Sequence, residues 1–194
     1  MNLGRFDCAT GLVHILHRSG DLVVRNATFK DAAAIDHLQR TNSYAVGFIQ
    51  QTIWDKYVFG GERNFFVVIV EKNGDPVGYS LVTPGKGYGS FVRIQQIAVR
   101  DDARRLHYGS SLVEVVRQFC AEQGRAGAKL RCRQDLASND FWRALGFVQY
   151  GVRVKGSVNH VGFRASKDIN LWCIDFAEIP RLFVPPQDES LRSL

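Results

Sequence analysis

At 194 residues, with 45% hydrophobic and 23% charged side chains, the chain can bury a core without disulfide or metal staples, and one domain is expected. No stretch nears the roughly twenty apolar residues of a membrane helix, and residues 1–20, with Arg5, Asp7, His14, His17 and Arg18, are too polar for a secretory signal, so a cytoplasmic protein with no membrane partner is expected. A net charge of +6 suits an anionic cofactor or a polyanionic partner such as nucleic acid, without deciding between them.

In chain order, residues 22–27 read as a strand, and residues 29–40 as an amphipathic helix carrying Ala33, Ile35 and Leu38 on one face. Residues 41–61 mix aromatics with glycines and predict a second helix with flexible flanks. Residues 65–71 form an apolar strand, Asn73-Gly74-Asp75 has hairpin-turn chemistry, and residues 76–82 return as the partner strand. A glycine-rich loop leads to a strand over 91–99. Residues 109–123 are the clearest helix, with Leu112, Val113, Val116, Phe119 and Cys120 on one face and Gly124 as its stop. A strand over 129–133, a short helix over 138–145, a strand after Phe147 and a last strand over 169–176 complete the pattern. Hairpins followed by strand-helix-strand units imply a mixed, mostly antiparallel sheet flanked by helices. The expected boundaries are an N-terminal extension over 1–20, a domain over 21–178 and a loosely held tail over 179–194.

Cys8, Cys120, Cys132 and Cys173 lie far apart, without the paired spacing of a metal site, and read as buried free thiols. No metal is expected. The basic residues cluster in two places only: Arg100, Arg104 and Arg105, and the alternating Lys129, Arg131 and Arg133.

The most informative stretch runs Ile97-Ala98-Val99-Arg100-Asp101-Asp102-Ala103-Arg104-Arg105-Leu106-His107-Tyr108-Gly109-Ser110. A strand feeds a basic loop, and the loop feeds a helix start. Unpaired backbone N–H groups and the positive helix end make an anion cradle suited to a diphosphate, with Arg104 and Arg105 adding charge.

This stretch resembles the cofactor motif of the GNAT superfamily, Gln/Arg-x-x-Gly-x-Gly/Ala after a strand. Arg104 stands at its first position, Gly109 at its last, and His107 in place of the middle glycine. A second run, Asp135-Leu-Ala-Ser138-Asn-Asp-Phe141-Trp142-Arg-Ala-Leu-Gly146-Phe147, is similar to the family's Asn-x-x-Ala-x-x-Phe-Tyr-x-x-x-Gly-Phe, in the same order and register. The resemblance covers about residues 21–150. It implies the GNAT fold, acetyl-CoA or a related acyl-CoA as co-substrate, and cofactor contacts from Ile97, Ala98, Val99, Arg104, Arg105, Leu106, His107, Tyr108, Gly109, Ser110, Asp135, Ser138 and Trp142. Phe141 and Phe147 are expected in the core, and Trp142 either there or against the cofactor.

The resemblance also implies direct attack by a neutral amine on the thioester, with the carbonyl polarised by a backbone N–H at a splay between two central strands, here along Ile97 to Val99. Two positions depart from the pattern. Trp142 stands where a tyrosine commonly protonates the leaving thiolate, and an indole N–H is no usable acid. Arg93 stands where relatives place a glutamate base, and a guanidinium cannot accept a proton. Cys132 and Tyr150 are alternative acids and His107 a titrating group, while core packing explains Cys132 and Tyr150 equally well. If Arg93 faces the acceptor, it favours an anionic one. Strand alternation groups Arg93, Gln95 and Ile97 on one side unless a bulge intervenes.

The expected function is transfer of an acetyl group to an amine of a small-molecule or macromolecular acceptor, from a protein that is a candidate homodimer. A catalytically altered CoA-binding or regulatory module, supported by the substitutions at His107, Trp142 and Arg93, and a nucleic-acid-modifying enzyme stay open.

Overall fold

A computed structural model describes residues 4–60, 65–85, 90–154 and 167–176. Among the described residues eight strands form one sheet: β1 (Ile15–Ser19), β2 (Leu22–Asn26), β3 (Phe66–Lys72), β4 (Asp75–Thr83), β5 (Val92–Val99), β6 (Gly127–Arg133), β7 (Val148–Arg153) and β8 (Ile169–Asp175). Their spatial order is β1-β2-β3-β4-β5-β6-β8-β7, antiparallel throughout except for the parallel pair β5 and β6. The helices are α1 (Ala32–Thr41), α2 (Ser43–Val46), α3 (Gln51–Trp54), α4 (Tyr108–Glu122) and α5 (Ser138–Ala144).

Local chemistry explains most of these elements. The β3–β4 turn places Asn73 at φ 52° and Gly74 at φ 81°, the left-handed pair that suits a tight hairpin. β3 is buried over five consecutive residues, Phe66 to Val70, because helices cover both of its faces. The approach to α1 is capped by Thr28 and Asp31, whose carboxylate accepts the Thr28 backbone N–H at 2.7 Å. Asp31 and Glu71 together hold the Arg25 guanidinium, at 2.7 and 2.6 Å.

The register assigns side chains to the two faces of the sheet. Phe66, Val82 and Ile94 stand opposite one another across β3, β4 and β5, on the face where Phe66 and Phe119 of α4 pack at 4.4 Å between ring centroids. Tyr79, Leu81, Gln96 and Ala98 share the other face, where Trp54 of α3 meets Tyr79 and Gln96 donates to the Gln39 carbonyl oxygen and the Val46 backbone carbonyl. Helix α4 therefore covers one side, and α1 to α3 cover the other. Helix α5 joins the α4 side, since Trp172 of β8 donates to Asn139 at 3.1 Å.

Three expectations need correction. The expected N-terminal extension is built into the domain: β1 pairs with β2, and Phe6 is fully buried between Phe66 and Phe119. Residues 41–61 do not form one helix, because Gly47, at φ 75°, ends α2 and a separate α3 begins at Gln51, running into a wider turn over Asp55–Phe59. Cys173 is only half-buried, whereas Cys8, Cys120 and Cys132 are buried thiols. The expected tail over 179–194 lies outside the described residues.

Candidate active site

The parallel ladder between β5 and β6 has two rungs, Val92 with Ala128 and Arg93 with Lys129. Beyond them β6 pairs with β8 alone up to Arg133, while β5 continues along β4 to Val99. The two strands splay, and the edge of β5 over residues 94–99 faces the gap. Alternate backbone N–H groups on that edge have no ladder partner.

A bulge at Gln95 sets what lines this gap. Leu81 pairs with Gln96 and Val82 with Ile94, so Gln95 is the extra residue of β5. Arg93, opposite Thr83, consequently shares the face of Gln96 and Ala98, while Ile97 and Val99 turn to the α4 side. Simple alternation would have grouped Arg93 with Ile97.

The loop after Val99 makes a short turn over Asp101–Ala103 and reaches α4 through two left-handed residues, Arg105 at φ 60° and His107 at φ 62°. The first helical hydrogen bond runs from Ser111 N–H to the His107 carbonyl at 3.0 Å. The N–H groups of Tyr108, Gly109 and Ser110 therefore precede the ladder and form the positive end of a fifteen-residue helix. Arg104 is anchored here, donating to Asn42 at 2.7 Å and pairing with Asp101 at 2.6 Å, whereas Arg105 and Leu106 are exposed. Gly109 lies against Phe141: an added Cβ would sit 3.1 Å from the ring. This contact brings the start of α4 to α5 across the splay.

On the α4 side, Cys132 of β6 lies 3.3 Å from the Ser138 hydroxyl. Burial pushes its thiol above the ordinary value, against the opposing Ser138 hydrogen bond. Trp142 is 3% exposed between Phe141 and Phe147, which answers the open choice for this residue in favour of the core. A buried indole locked by two rings offers a cofactor packing through its neighbours rather than contact. Phe147 is also buried, and Phe141 is half-buried against Gly109.

On the opposite face, α2 is tied to the end of β6. Arg133 donates to the Tyr44 carbonyl at 2.8 Å, stacks over its ring at 4.1 Å and pairs with Asp135, which also accepts from Tyr44 Oη at 3.1 Å and Lys167 at 3.2 Å. The Arg133 guanidinium beside it holds the Asp135 carboxyl well below the usual carboxylate range. Asp135 is thus committed to this bridge, away from Ser138, its partner in the second motif. Lys129 and Arg131 lie on the same face as Arg93, and so does Arg153 of β7, opposite Ile169. Desolvation, then the charges of Arg93 and Arg153, push Arg131 below the ordinary guanidinium value. Tyr150, the bulged residue of β7, is exposed beside them. The two alternative acids, Cys132 and Tyr150, therefore lie on opposite faces of the sheet.

An apolar cavity of about 250 Å³ opens beside the bulge, lined by Ile49, Ile53, Trp54, Val58, Leu81 and Gln95. A larger cavity, about 530 Å³, lies at the β1–β2 edge around Arg18, Asp21 and Glu71, three or more strands from the splay.

The family model of the acetyltransferase (GNAT) family matches residues 32–147, from the first residues of α1 to the end of the second motif. The chain belongs to the GNAT family. As a GNAT enzyme it is an acetyl-CoA-dependent N-acetyltransferase with a mixed, mostly antiparallel sheet. Its fold matches the ribosomal-protein-S18-alanine N-acetyltransferase of Escherichia coli at TM-score 0.63 and 17% identity, over 79% of this chain and 93% of that one. It matches the Salmonella typhimurium acetyltransferase that modifies the N-terminal serine of ribosomal protein L7/L12 at TM-score 0.68 and 17% identity, over 84% and 99%. Arabidopsis thaliana Naa50, in complex with the bisubstrate analogue CoA-Ac-MVNAL, matches at TM-score 0.62 and 16% identity, over 80% and 99%. No curated protein matches the chain in sequence. Among the described residues no group of His, Cys, Asp and Glu is arranged to hold a metal ion, and no helix is long and apolar enough to cross a membrane.

Sequence reasoning did not find Asn42 and Tyr44, which act through contacts made only in the folded chain. The alternation of Lys129, Arg131 and Arg133 did carry a signal, since residues two apart on a strand share a face.

Proposed function

We propose that acetyl-CoA lies along the splay, with its diphosphate at the start of α4 and its thioester beside the free edge of β5, and that the acceptor amine arrives from the α1–α3 face. The splay beside an unladdered helix start carries this reading. The N–H groups of Tyr108, Gly109 and Ser110 suit a diphosphate in geometry and sign, and Arg105 adds an exposed charge. Arg104 contributes by fixing the loop through Asn42 and Asp101.

Bound acetyl-CoA supplies the activated acyl group. The chain orients it and aims backbone N–H groups of the β5 edge, over residues 97–99, at the carbonyl oxygen where negative charge develops. Arg93 cannot take a proton, so the amine has to enter uncharged, and a cation beside the gap favours that form. Cys132, protonated at neutral pH because burial raises its pKa, stands near the splay as the proton source for the departing thiolate; Tyr150 is less suited because it lies two strands beyond β6 on the acceptor side.

The acceptor we favour is a protein N-terminus, because two of the structural neighbours act on ribosomal proteins and a third is in complex with a CoA-linked peptide analogue. Thermal melts with and without acetyl-CoA test the cofactor assignment: binding to the native state alone raises Tm by mass action. Arg104→Glu is expected to abolish the rise, and an equal rise in both proteins would overturn the assignment.

A further inference from the structure

The acceptor side of the splay continues into a wall that the proposed transfer leaves unexplained. The start of β5 and strands β6, β8 and β7 present one face, which α2 meets only at the end of β6 through Arg133 and Tyr44, and that face carries Arg93, Lys129, Arg131 and Arg153. Among the described residues the ion pairs engage other cations, and none of these four has a carboxylate partner. A folded surface ordinarily intersperses both signs, since uncompensated like charges repel. In the sequence, no Asp or Glu occurs between Arg153 and Asp168, the segment that joins β7 to β8. Between the cations the face is apolar, with Leu171 of β8 half-buried and Tyr150 exposed, and Asp175 stands at its far end opposite Gly127.

Resting on the reading above, we propose that this wall binds an acidic acceptor peptide, a chain whose N-terminal amine sits at the splay and whose next residues carry carboxylates against Arg93, Lys129, Arg131 and Arg153. The dimensions agree. From β5 across β6 and β8 to β7 is three strand spacings, about 14 Å. An extended peptide covers that in about four residues at roughly 3.3 Å each, so the acidic positions are the second to the fifth. A lone carboxylate or phosphate spans too little to engage both ends. A peptide also uses the apolar surface of Leu171 and Tyr150 between the charges, which a phosphodiester backbone does not. Carboxylates on the acceptor also offset the mutual repulsion of these cations.

The test uses the full chain with acetyl-CoA and three free-amine peptides that differ only at positions two to five: Asp/Glu, the isosteric Asn/Gln, and Lys. We expect the acidic peptide to exceed the amide peptide by about tenfold in kcat/KM, as several exposed charge pairs together provide, and to lose that margin as salt rises to 0.5 M. Arg131→Gln and Arg153→Gln should each lower the acidic peptide's rate severalfold while leaving the amide peptide's rate unchanged, and Arg131→Lys should recover most of it. Equal rates for acidic and amide peptides, a preference for the Lys peptide, no acetylation of any peptide, or stronger inhibition by a single-stranded RNA oligomer than by the acidic peptide would each overturn the proposal. The acetyl-CoA thermal shift, measured alongside, separates the causes: with the shift present such results sink the acidic peptide alone, and without it the cofactor reading falls first.

Discussion

Arg93 and Lys129 face each other on the last rung before β5 and β6 separate. Two cations in register, at the point where the sheet opens, put positive charge at the entrance proposed for the acceptor and none at the helix end proposed for the diphosphate. Removing one should act on one substrate. Arg93→Gln is expected to raise KM for an acidic acceptor about three- to tenfold while KM for acetyl-CoA stays within twofold. Initial-rate kinetics with each substrate varied in turn check this, and a rise in the acetyl-CoA constant would move Arg93 to the cofactor side.

Gly109 and Phe141 join the start of α4 to α5. A methyl group 3.1 Å from an aromatic ring forces the ring or the helix start to shift. Gly109→Ala should destabilise the fold by about 1–2 kcal/mol and raise KM for acetyl-CoA, because the displaced element carries the anion-facing N–H groups. Phe141→Leu in the same chain should restore part of the stability, so that the two changes are non-additive in a double-mutant cycle.

His107 adopts a left-handed conformation where the family pattern has glycine. That conformation costs a non-glycine residue about 1 kcal/mol, an expense partly offset because glycine frees the unfolded chain. His107→Gly is therefore expected to change Tm by no more than a few degrees and to lower KM for acetyl-CoA severalfold by opening the loop. Unchanged cofactor kinetics would show that the histidine side chain does not crowd the diphosphate.

Trp142 fills the space between Phe141 and Phe147. Trp142→Phe should cost about 1–3 kcal/mol in stability, from the volume lost in a buried site, and should lower kcat less than tenfold. Cys132→Ala, by contrast, should lower kcat more than KM, most visibly with poor leaving thiols. A kcat unaffected by Cys132→Ala removes that thiol from proton transfer.

Asp31 links folding to pH. Burial acts to raise its pKa, but the hydrogen bonds from Arg25 and Thr28 outweigh it and hold the carboxyl below its ordinary value. A depressed folded-state pKa means that the stabilisation is complete above the unfolded value near 4 and is lost as pH falls through the folded one. Asp31→Asn should thus cost about 3 kcal/mol at pH 7, toward the lower end for a broken buried pair because Glu71 still faces Arg25. The gap between wild type and variant should narrow steadily below pH 4, as followed by urea denaturation.

Seven of the eight strands and the two longest helices were legible in the amino-acid order, because each writes its own period or turn chemistry over a few neighbouring residues. The basic loop before Gly109 was legible for the same reason: strand end, cations and helix start are contiguous. The missed strand β1, with exposed Ile15 beside buried Leu16, owes its place to pairing with β2 rather than to a hydrophobic pattern of its own. What only the tertiary structure decided were the relations between distant segments. One extra residue at Gln95 turned Arg93 to the face of Gln96 rather than Ile97, because side chains alternate with period two and a bulge reverses the count. Arg104 was given to Asn42, Tyr44 to Arg133 and Trp142 to the core by packing across 62, 89 and a few residues of sequence. Arg153 joined Arg93 and Arg131 only because β8 inserts between β6 and β7. Charge on a single strand can be read from its spacing, but the sign of a whole face depends on which strands are neighbours and in what register, and that is settled only when the sheet has closed.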